Sequence, residues 1–105
     1  MLTKSKNIHF IGIGGIGMSG IAELLHFQKF TISGSDLVES ERTNYLKDLG
    51  IKITINHNKE NIENPDLVVY SSAVNLNNIE IIQSKKKGIP IIRRAEMLGL
   101  SLIHI

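Results

Sequence analysis

Apolar and polar positions follow two periods along this chain, and the period changes at turn residues. Short apolar runs predict five strands, at residues 7–11, 30–33, 52–55, 67–70 and 90–92. The three- and four-residue spacing of one buried helical face joins Met18, Ile21, Ala22 and Leu25. Further helices are predicted at about residues 40–49, 78–87 and 94–98, with one helical turn after Asn58.

Strands and helices alternate along most of the chain, which is typical of an α/β fold built on a parallel sheet. We therefore predict a doubly wound parallel five-stranded sheet with helices on both faces and the fourth strand beside the first. Residues 1–98 are predicted to form one domain. Residues 99–105 are predicted to be an atypical, truncated C-terminal tail, because a glycine interrupts the last helix and an apolar run then stops.

Composition excludes some kinds of protein but does not indicate a function. The 105 residues fit a single domain, and only 5% are aromatic, so the core depends on Ile, Leu and Val. The absence of cysteine excludes disulfides and zinc–thiolate sites and permits the predicted cytoplasmic location. A net charge of +2 does not indicate a nucleic-acid partner, and no segment reads as a membrane span. The histidines lack metal-ligand spacing, so no metal site is predicted.

A glycine-rich segment between the first strand and the first helix is the main candidate for chemistry. Gly12, Gly14 and Gly17 form G-x-G-x-x-G, in which the glycines allow a tight turn, a close backbone approach to a pyrophosphate, and close helix packing. The helix N-terminus would then face the phosphates. The alternative is a tight turn without a ligand. The predicted phosphate-binding residues are Gly12, Gly14, Gly15, Ile16, Gly17, Met18 and Ser19.

Polar residues at the ends of other strands are candidates for the rest of the site. Ser35 and Asp36 lie about 20 residues beyond the loop, where an acidic residue often binds ribose hydroxyls; a turn-forming role is the alternative. The hydroxyl-bearing segment Ser71-Ser72-Ala73 follows the fourth strand and should face the loop, either as a phosphate or sugar contact or as a simple turn.

Charged residues at the end of the fifth strand are less specific candidates. Arg93 and Arg94 are predicted either to bind a phosphate or carboxylate at the rim of the crevice or to pair with Glu96. His57 is predicted to be a surface residue, with a loop approach to the ligand as the alternative. His9 is predicted to be structural, and Lys85–Lys87 a solvated helix end.

Longer segments around these motifs resemble the UDP-N-acetylmuramate–L-alanine ligases of the Mur ligase family. The resemblance rests on HFIGIGGIGMSGIA at residues 9–22, SGSD at 33–36, VYSSA at 69–73, and GIP at 88–90 followed by RRAEML at 93–98. It implies a Rossmann-like domain that binds UDP-N-acetylmuramic acid. It places the diphosphate on the glycine loop, the uridine near Ser35 and Asp36, and the phosphates or sugar near Ser71 and Ser72.

The resemblance also implies a larger parent enzyme. In the family, ATP and magnesium act on a central domain, and a C-terminal domain helps to hold ATP and the amino acid. This chain contains no G-x-x-x-x-G-K-[ST] loop, so no ATP site is predicted in it and the chain alone is expected to be inactive. Two alternatives share the fold: an NAD(P)-binding domain of an oxidoreductase or regulatory protein, and an α/β module without a ligand.

Overall fold

The computed structural model describes residues 6–15 and 17–96 as one parallel sheet flanked by helices. The strands are β1 Asn7–Ile11, β2 Thr31–Asp36, β3 Lys52–Ile55, β4 Leu67–Tyr70 and β5 Ile91–Arg93. The helices are α1 Met18–Phe27, α2 Glu41–Asp48 and α3 Ile79–Lys86, with a 3₁₀ turn at Lys59–Asn61. The strand order is β3-β2-β1-β4-β5, so the predicted doubly wound sheet is confirmed, with β4 beside β1.

Two hydrophobic clusters cover the opposite faces of the sheet. Successive strand residues point to opposite faces, so Phe10 and Ile11 of β1 belong to different clusters. Phe10 packs with the buried side of α1 and α2, whereas Ile11 packs with Ile81 of α3. The prediction of helices on both faces is therefore confirmed.

The first helix buries the face that its spacing predicted. Its buried apolar residues are Met18, Ile21, Ala22 and Leu25. The second helix begins after Ser40, whose hydroxyl accepts a hydrogen bond from the Thr43 N–H, while the Thr43 hydroxyl oxygen accepts one from the Ser40 N–H. This reciprocal cap satisfies two backbone donors at the start of α2.

The predicted end of the second strand is wrong. β2 continues through Gly34 and Ser35 to Asp36, because these residues pair with β1 and β3. Gly34 does not break the strand: a Cβ there would lie 2.3 Å from Cδ1 of Ile13, so glycine admits the side chain that covers the sheet.

The fifth strand starts one residue later than predicted. Pro90 lies before it, and its carbonyl accepts a hydrogen bond from Val68 at 2.9 Å. Residues 94–96 begin the predicted last helix. The predicted domain boundary at residue 98 and the tail at 99–105 lie outside the described residues. In the part of the chain that the structure describes, no helix is long and apolar enough to cross a membrane.

Candidate functional site

The glycine loop connects β1 to α1 at the carboxyl edge of the sheet and contacts the end of β4. The N–H groups of Gly12 and Ile13 donate to the carbonyl of Ser35 at 2.8 and 3.0 Å, which ties the loop to β2. Gly12 has φ +82°, and a Cβ there would lie 3.2 Å from Cβ of Ser71. Glycine is therefore required at position 12 both by the backbone conformation and by the close approach of the segment that follows β4.

Gly14 is held from the side of β2. Its N–H donates to Oδ2 of Asp36 at 2.8 Å. A Cβ on Gly14 would lie 2.9 Å from Oδ2 of Asp36 and 2.9 Å from Cγ2 of Thr43. The G-x-G-x-x-G pattern predicts a glycine here for the approach of a pyrophosphate; in the structure, protein atoms already occupy the direction that a side chain would take.

The first turn of α1 lacks the side-chain cap that the other helices have. Gly17, its N-cap, has φ +82°, makes no capping hydrogen bond and is exposed, and the first turn contains no acidic residue. The side chains of Met18 and Ser19 are buried, so what these positions present at the loop is backbone. Ile16 lies outside the described residues.

The two candidate arginines differ in position. Arg94 lies against the loop, since a Cβ on Gly17 would be 3.2 Å from Nη1 of Arg94. Arg93 is exposed, and its backbone N–H donates to Oε1 of Glu96 at 2.8 Å. Within residues 6–15 and 17–96 no ion pair joins either arginine to Glu96, so the predicted surface pairing is not observed there.

Ser35 and Asp36 are neighbours in β2 but face opposite sides of the sheet. The Asp36 carboxylate lies on the side of the glycine loop, and its Oδ1 accepts a hydrogen bond from the Leu37 N–H. The Ser35 side chain is completely buried on the side of α3, where its hydroxyl donates to Oε1 of Glu80 at 2.8 Å. Of the two residues predicted beside the uridine, only Asp36 presents its side chain next to the loop.

The segment after β4 lies beside the glycine loop, as predicted for the two strands at the switch point. The Ser71 N–H donates to the Ile11 carbonyl at 3.2 Å, and a Cβ on Gly15 would lie 3.7 Å from Oγ of Ser71. Oγ of Ser71 also accepts a hydrogen bond from the Ala73 N–H, so this side chain stabilises the turn as well. Ser72 and Ala73 are exposed at the same edge.

A polar cluster centred on a buried carboxylate was not predicted from the sequence. Its centre is the carboxylate of Glu80, and its other members are His9, Ser33, Ser35, His57, Asn58 and Asn61. Burial raises the pKa of the Glu80 carboxyl, but hydrogen bonds from His9, Asn61 and Ser35 outweigh burial and lower this pKa to about 2.

The structure agrees with the prediction for one histidine of the cluster and contradicts it for the other. His9 is buried, in agreement with its structural interpretation. The prediction that His57 is a surface residue is wrong, because its side chain is only 10% exposed and lies 2.9 Å from Oγ of Ser35. The available signal was the alternation of His9, Ser33 and Ser35 with apolar strand residues, which places their polar side chains on one face.

Comparison with known proteins identifies related sequences. Residues 7–104 match the profile described as Mur ligase family, catalytic domain. The chain is 55% identical over 96 residues to a UDP-N-acetylmuramate–L-alanine ligase of Clostridium botulinum, with 91% of the chain and 21% of that protein covered. It is 58% identical over 96 residues to the ligase of the same name from Sulfurihydrogenibium, with the same coverage.

Solved structures show the same fold. The UDP-N-acetylmuramate–alanine ligase of Thermotoga maritima superimposes with a TM-score of 0.90 at 40% identity, over 93% of this chain and 23% of that one. A UDP-N-acetylmuramate:L-alanyl-γ-D-glutamyl-meso-diaminopimelate ligase from Neisseria meningitides gives 0.85 at 25% identity, over 95% and 32%. The chain spans about a fifth of the length of the curated relatives it matches, 21% for the first two. The chain therefore belongs to the Mur ligase family, with the Rossmann-like fold of its structural neighbours.

Proposed function

We propose that this chain binds UDP-N-acetylmuramic acid as the N-terminal, nucleotide-binding part of an ATP-dependent ligase that joins L-alanine to that sugar nucleotide in peptidoglycan biosynthesis. The names of the relatives support the reaction, and the glycine loop beside Asp36 and Ser71 supports the nucleotide site. We assign the protein to the cytoplasm, where UDP-sugars and ATP are available.

The observation that carries the proposal is the N-terminus of α1. Backbone N–H groups and the helix dipole make this end positive, and the Arg94 guanidinium lies against it at Gly17. The other two helices place a capping side chain and an acidic residue at this position, Ser40 with Glu41 and Asn78 with Glu80. The N-terminus of α1 has neither. The Met18 and Ser19 N–H groups donate to the Gly15 carbonyl at 3.1 and 3.4 Å, so an anionic group such as a diphosphate would chiefly offset the positive helix end and the Arg94 charge.

The ATP and magnesium that the family implies do not fit the residues of this chain. The sequence contains no G-x-x-x-x-G-K-[ST] loop. Across the described ranges, no three His, Cys, Asp or Glu side chains form a group that suits a metal ion. We propose that ATP and magnesium bind to the central and C-terminal domains of the parent enzyme and that this chain alone binds without catalysing.

A titration tests the nucleotide proposal. We expect UDP-N-acetylmuramic acid and UDP to bind more tightly than NAD(H) or NADP(H), as measured by calorimetry on the purified chain. Arg94→Ala should weaken UDP binding about tenfold, since a charge-assisted hydrogen bond is lost, whereas the matched Arg93→Ala should have a smaller effect because Arg93 is exposed. Tighter binding of a nicotinamide nucleotide would contradict the proposal and favour the oxidoreductase alternative.

A separate experiment tests the proposal that catalysis belongs to the other domains of the parent enzyme. With UDP-N-acetylmuramic acid, L-alanine, ATP and magnesium present, the chain alone should release no ADP. ADP release above that of a buffer control, sensitive to omission of alanine, would contradict the assignment of catalysis to the other domains.

A further inference from the structure

The Glu80 carboxylate accepts hydrogen bonds from four different residues beneath the carboxyl edge of the sheet. Oε1 accepts from Nε2 of His9 and from Oγ of Ser35, both at 2.8 Å. Oε2 accepts from the Asn58 N–H at 3.0 Å and from Nδ2 of Asn61 at 2.7 Å. Glu80 is completely buried, so its carboxylate makes no contact with a ligand at the surface.

These bonds determine where the proton of the neighbouring imidazole lies. A serine hydroxyl has one hydrogen, and Ser35 donates its hydrogen to Oε1 of Glu80. Nδ1 of His57 lies 2.9 Å from the same Oγ, so Nδ1 must be the donor in that bond. The opposite arrangement would leave Oγ of Ser35 and an ionised Glu80 oxygen 2.8 Å apart without a hydrogen between them.

The other imidazole nitrogen of His57, Nε2, is then a hydrogen-bond acceptor. In the neutral ring, a proton on Nδ1 leaves Nε2 with a lone pair, which accepts a hydrogen bond. No residue in 6–15 or 17–96 bonds to Nε2, and no buried side-chain polar atom in those ranges lacks a partner. Nε2 therefore reaches the surface of the described part of the chain.

The backbone of the segment that carries His57 is tied to the end of β2, where the candidate nucleoside region lies. His57 follows β3, and the preceding residue, Asn56, donates its N–H to the carbonyl of Asp36 at 2.6 Å. Ligands of doubly wound sheets bind at the carboxyl ends of the strands. The segment that carries His57 is thus tied to the residue predicted beside the ribose.

We propose that Glu80 and Ser35 are positioning residues for the nucleoside: together they hold His57 in the Nδ1–H form, so that Nε2 accepts a hydrogen bond from a ribose hydroxyl or a base N–H. This inference rests on the proposed function for the identity of the ligand. The proton position itself rests on the three side chains alone. Neither Glu80 nor Ser35 touches the nucleotide.

The matched variants Ser35→Ala and Ser33→Ala test the proposal. Both serines lie in β2, both face α3, and each bonds to one histidine, Ser35 to His57 and Ser33 to His9. Two-dimensional ¹H–¹⁵N NMR of the imidazole groups, without ligand, should show the Nδ1–H form of His57 in the unaltered chain. Ser35→Ala removes the nearer of the two acceptors around Nδ1 of His57 and leaves Oε2 of Glu80 at 3.4 Å, so it should raise the population of the Nε2–H tautomer, whereas Ser33→Ala should leave the tautomers unchanged.

Calorimetry then tests whether the tautomer of His57 affects the binding of the nucleotide. Ser35→Ala should weaken UDP binding about tenfold and leave inorganic pyrophosphate binding unchanged, while Ser33→Ala should alter neither by more than about twofold. CDP, whose base lacks the N3–H of uracil, separates the two donors: an equal loss for CDP and UDP assigns the contact to the ribose.

Three results would overturn the inference. One is an Nε2–H form of His57 in the unaltered chain, a measurement that remains possible if Ser35→Ala does not fold. Another is an equal loss of UDP affinity in the two serine variants. The third is an equal loss of pyrophosphate and UDP affinity in Ser35→Ala. Failure of the unaltered chain to bind UDP would instead remove the proposed function and leave the NMR result to decide the proton position.

Discussion

Oδ2 of Asp36 accepts a hydrogen bond from the backbone N–H of Gly14 at 2.8 Å, so the last residue of β2 holds the loop that follows β1. The other carboxylate oxygen, Oδ1, accepts from the Leu37 N–H at 2.8 Å. The sequence left two interpretations of Asp36 open, a ribose contact and a turn-forming residue. The structure shows that Asp36 organises the backbone of the candidate site, and the ribose contact remains part of the proposal.

Asp36→Asn should lower the free energy of unfolding by about 1 kcal/mol, because an amide has one acceptor oxygen and two backbone donors now compete for it. Urea denaturation measures this change. Glu39→Gln is the control: Glu39 is exposed three residues away, and its substitution should change stability by less than about 0.5 kcal/mol. Equal stability of the two variants would show that the Gly14 bond contributes nothing.

Alanine at two glycines of the same segment should have opposite effects on stability. Gly14→Ala should destabilise the fold by about 1–3 kcal/mol, since its Cβ would meet Asp36 and Thr43 at 2.9 Å. Gly20→Ala should stabilise it by up to about 1 kcal/mol, because Gly20 lies within α1 and a Cβ added there would meet no atom within 4 Å outside the neighbouring residues and the helix backbone. Thermal unfolding followed by circular dichroism compares them; destabilisation by Gly20→Ala would contradict the open space seen there.

Acid should destabilise the protein partly through Glu80. Its folded-state pKa is lowered from 4.5 to about 2, so the stabilisation is present above pH 4.5 and is lost as the pH falls towards 2. The shift corresponds to roughly 3 kcal/mol at most. Unfolding free energies measured between pH 7 and 2 should therefore fall more steeply for the unaltered chain than for Glu80→Gln. Parallel pH profiles would mean that the carboxyl has the same pKa in the folded and unfolded chain.

Ser40→Ala should cost about 1 kcal/mol of stability, because α2 loses the hydroxyl that accepts the Thr43 N–H. Ser72→Ala provides a comparison at an exposed serine outside any helix, with an expected change below about 0.5 kcal/mol. The two variants are distinguished by urea denaturation at neutral pH. A cost at Ser72 equal to that at Ser40 would argue against the cap as the cause.

Local patterns predicted most of the elements because each one is determined by its own residues. The apolar runs of β1, β3 and β4 gave the observed bounds, and the spacing of Met18, Ile21 and Leu25 identified the buried face of α1. The end of β2 was predicted wrongly because Gly34 is required by a distant contact with Ile13, and a single sequence contains no record of that contact.

The residues of the candidate site were likewise predicted only in part. The glycines and the Asp36 position were recognisable because their spacing reflects the turn and the strand end that carry them. His57 was misjudged as a surface residue, since its burial depends on Ser35 and Glu80, which lie 22 and 23 residues away along the chain. The burial of Glu80 could not be predicted from the sequence, because a glutamate in the first turn of a helix is a common feature of exposed helices.

By itself, the sequence determined the alternation of strands and helices, the glycine loop and the resemblance to a ligase family, because periodicity and turn residues act over a few positions. The tertiary structure alone decided which side chains share a face and which atoms meet: Asp36 with Gly14, Arg94 with Gly17, and Glu80 with Ser35 and two histidines. The physical reason is that parallel pairing joins residues far apart in the chain, and a one-residue step in a strand moves a side chain from one face to the other.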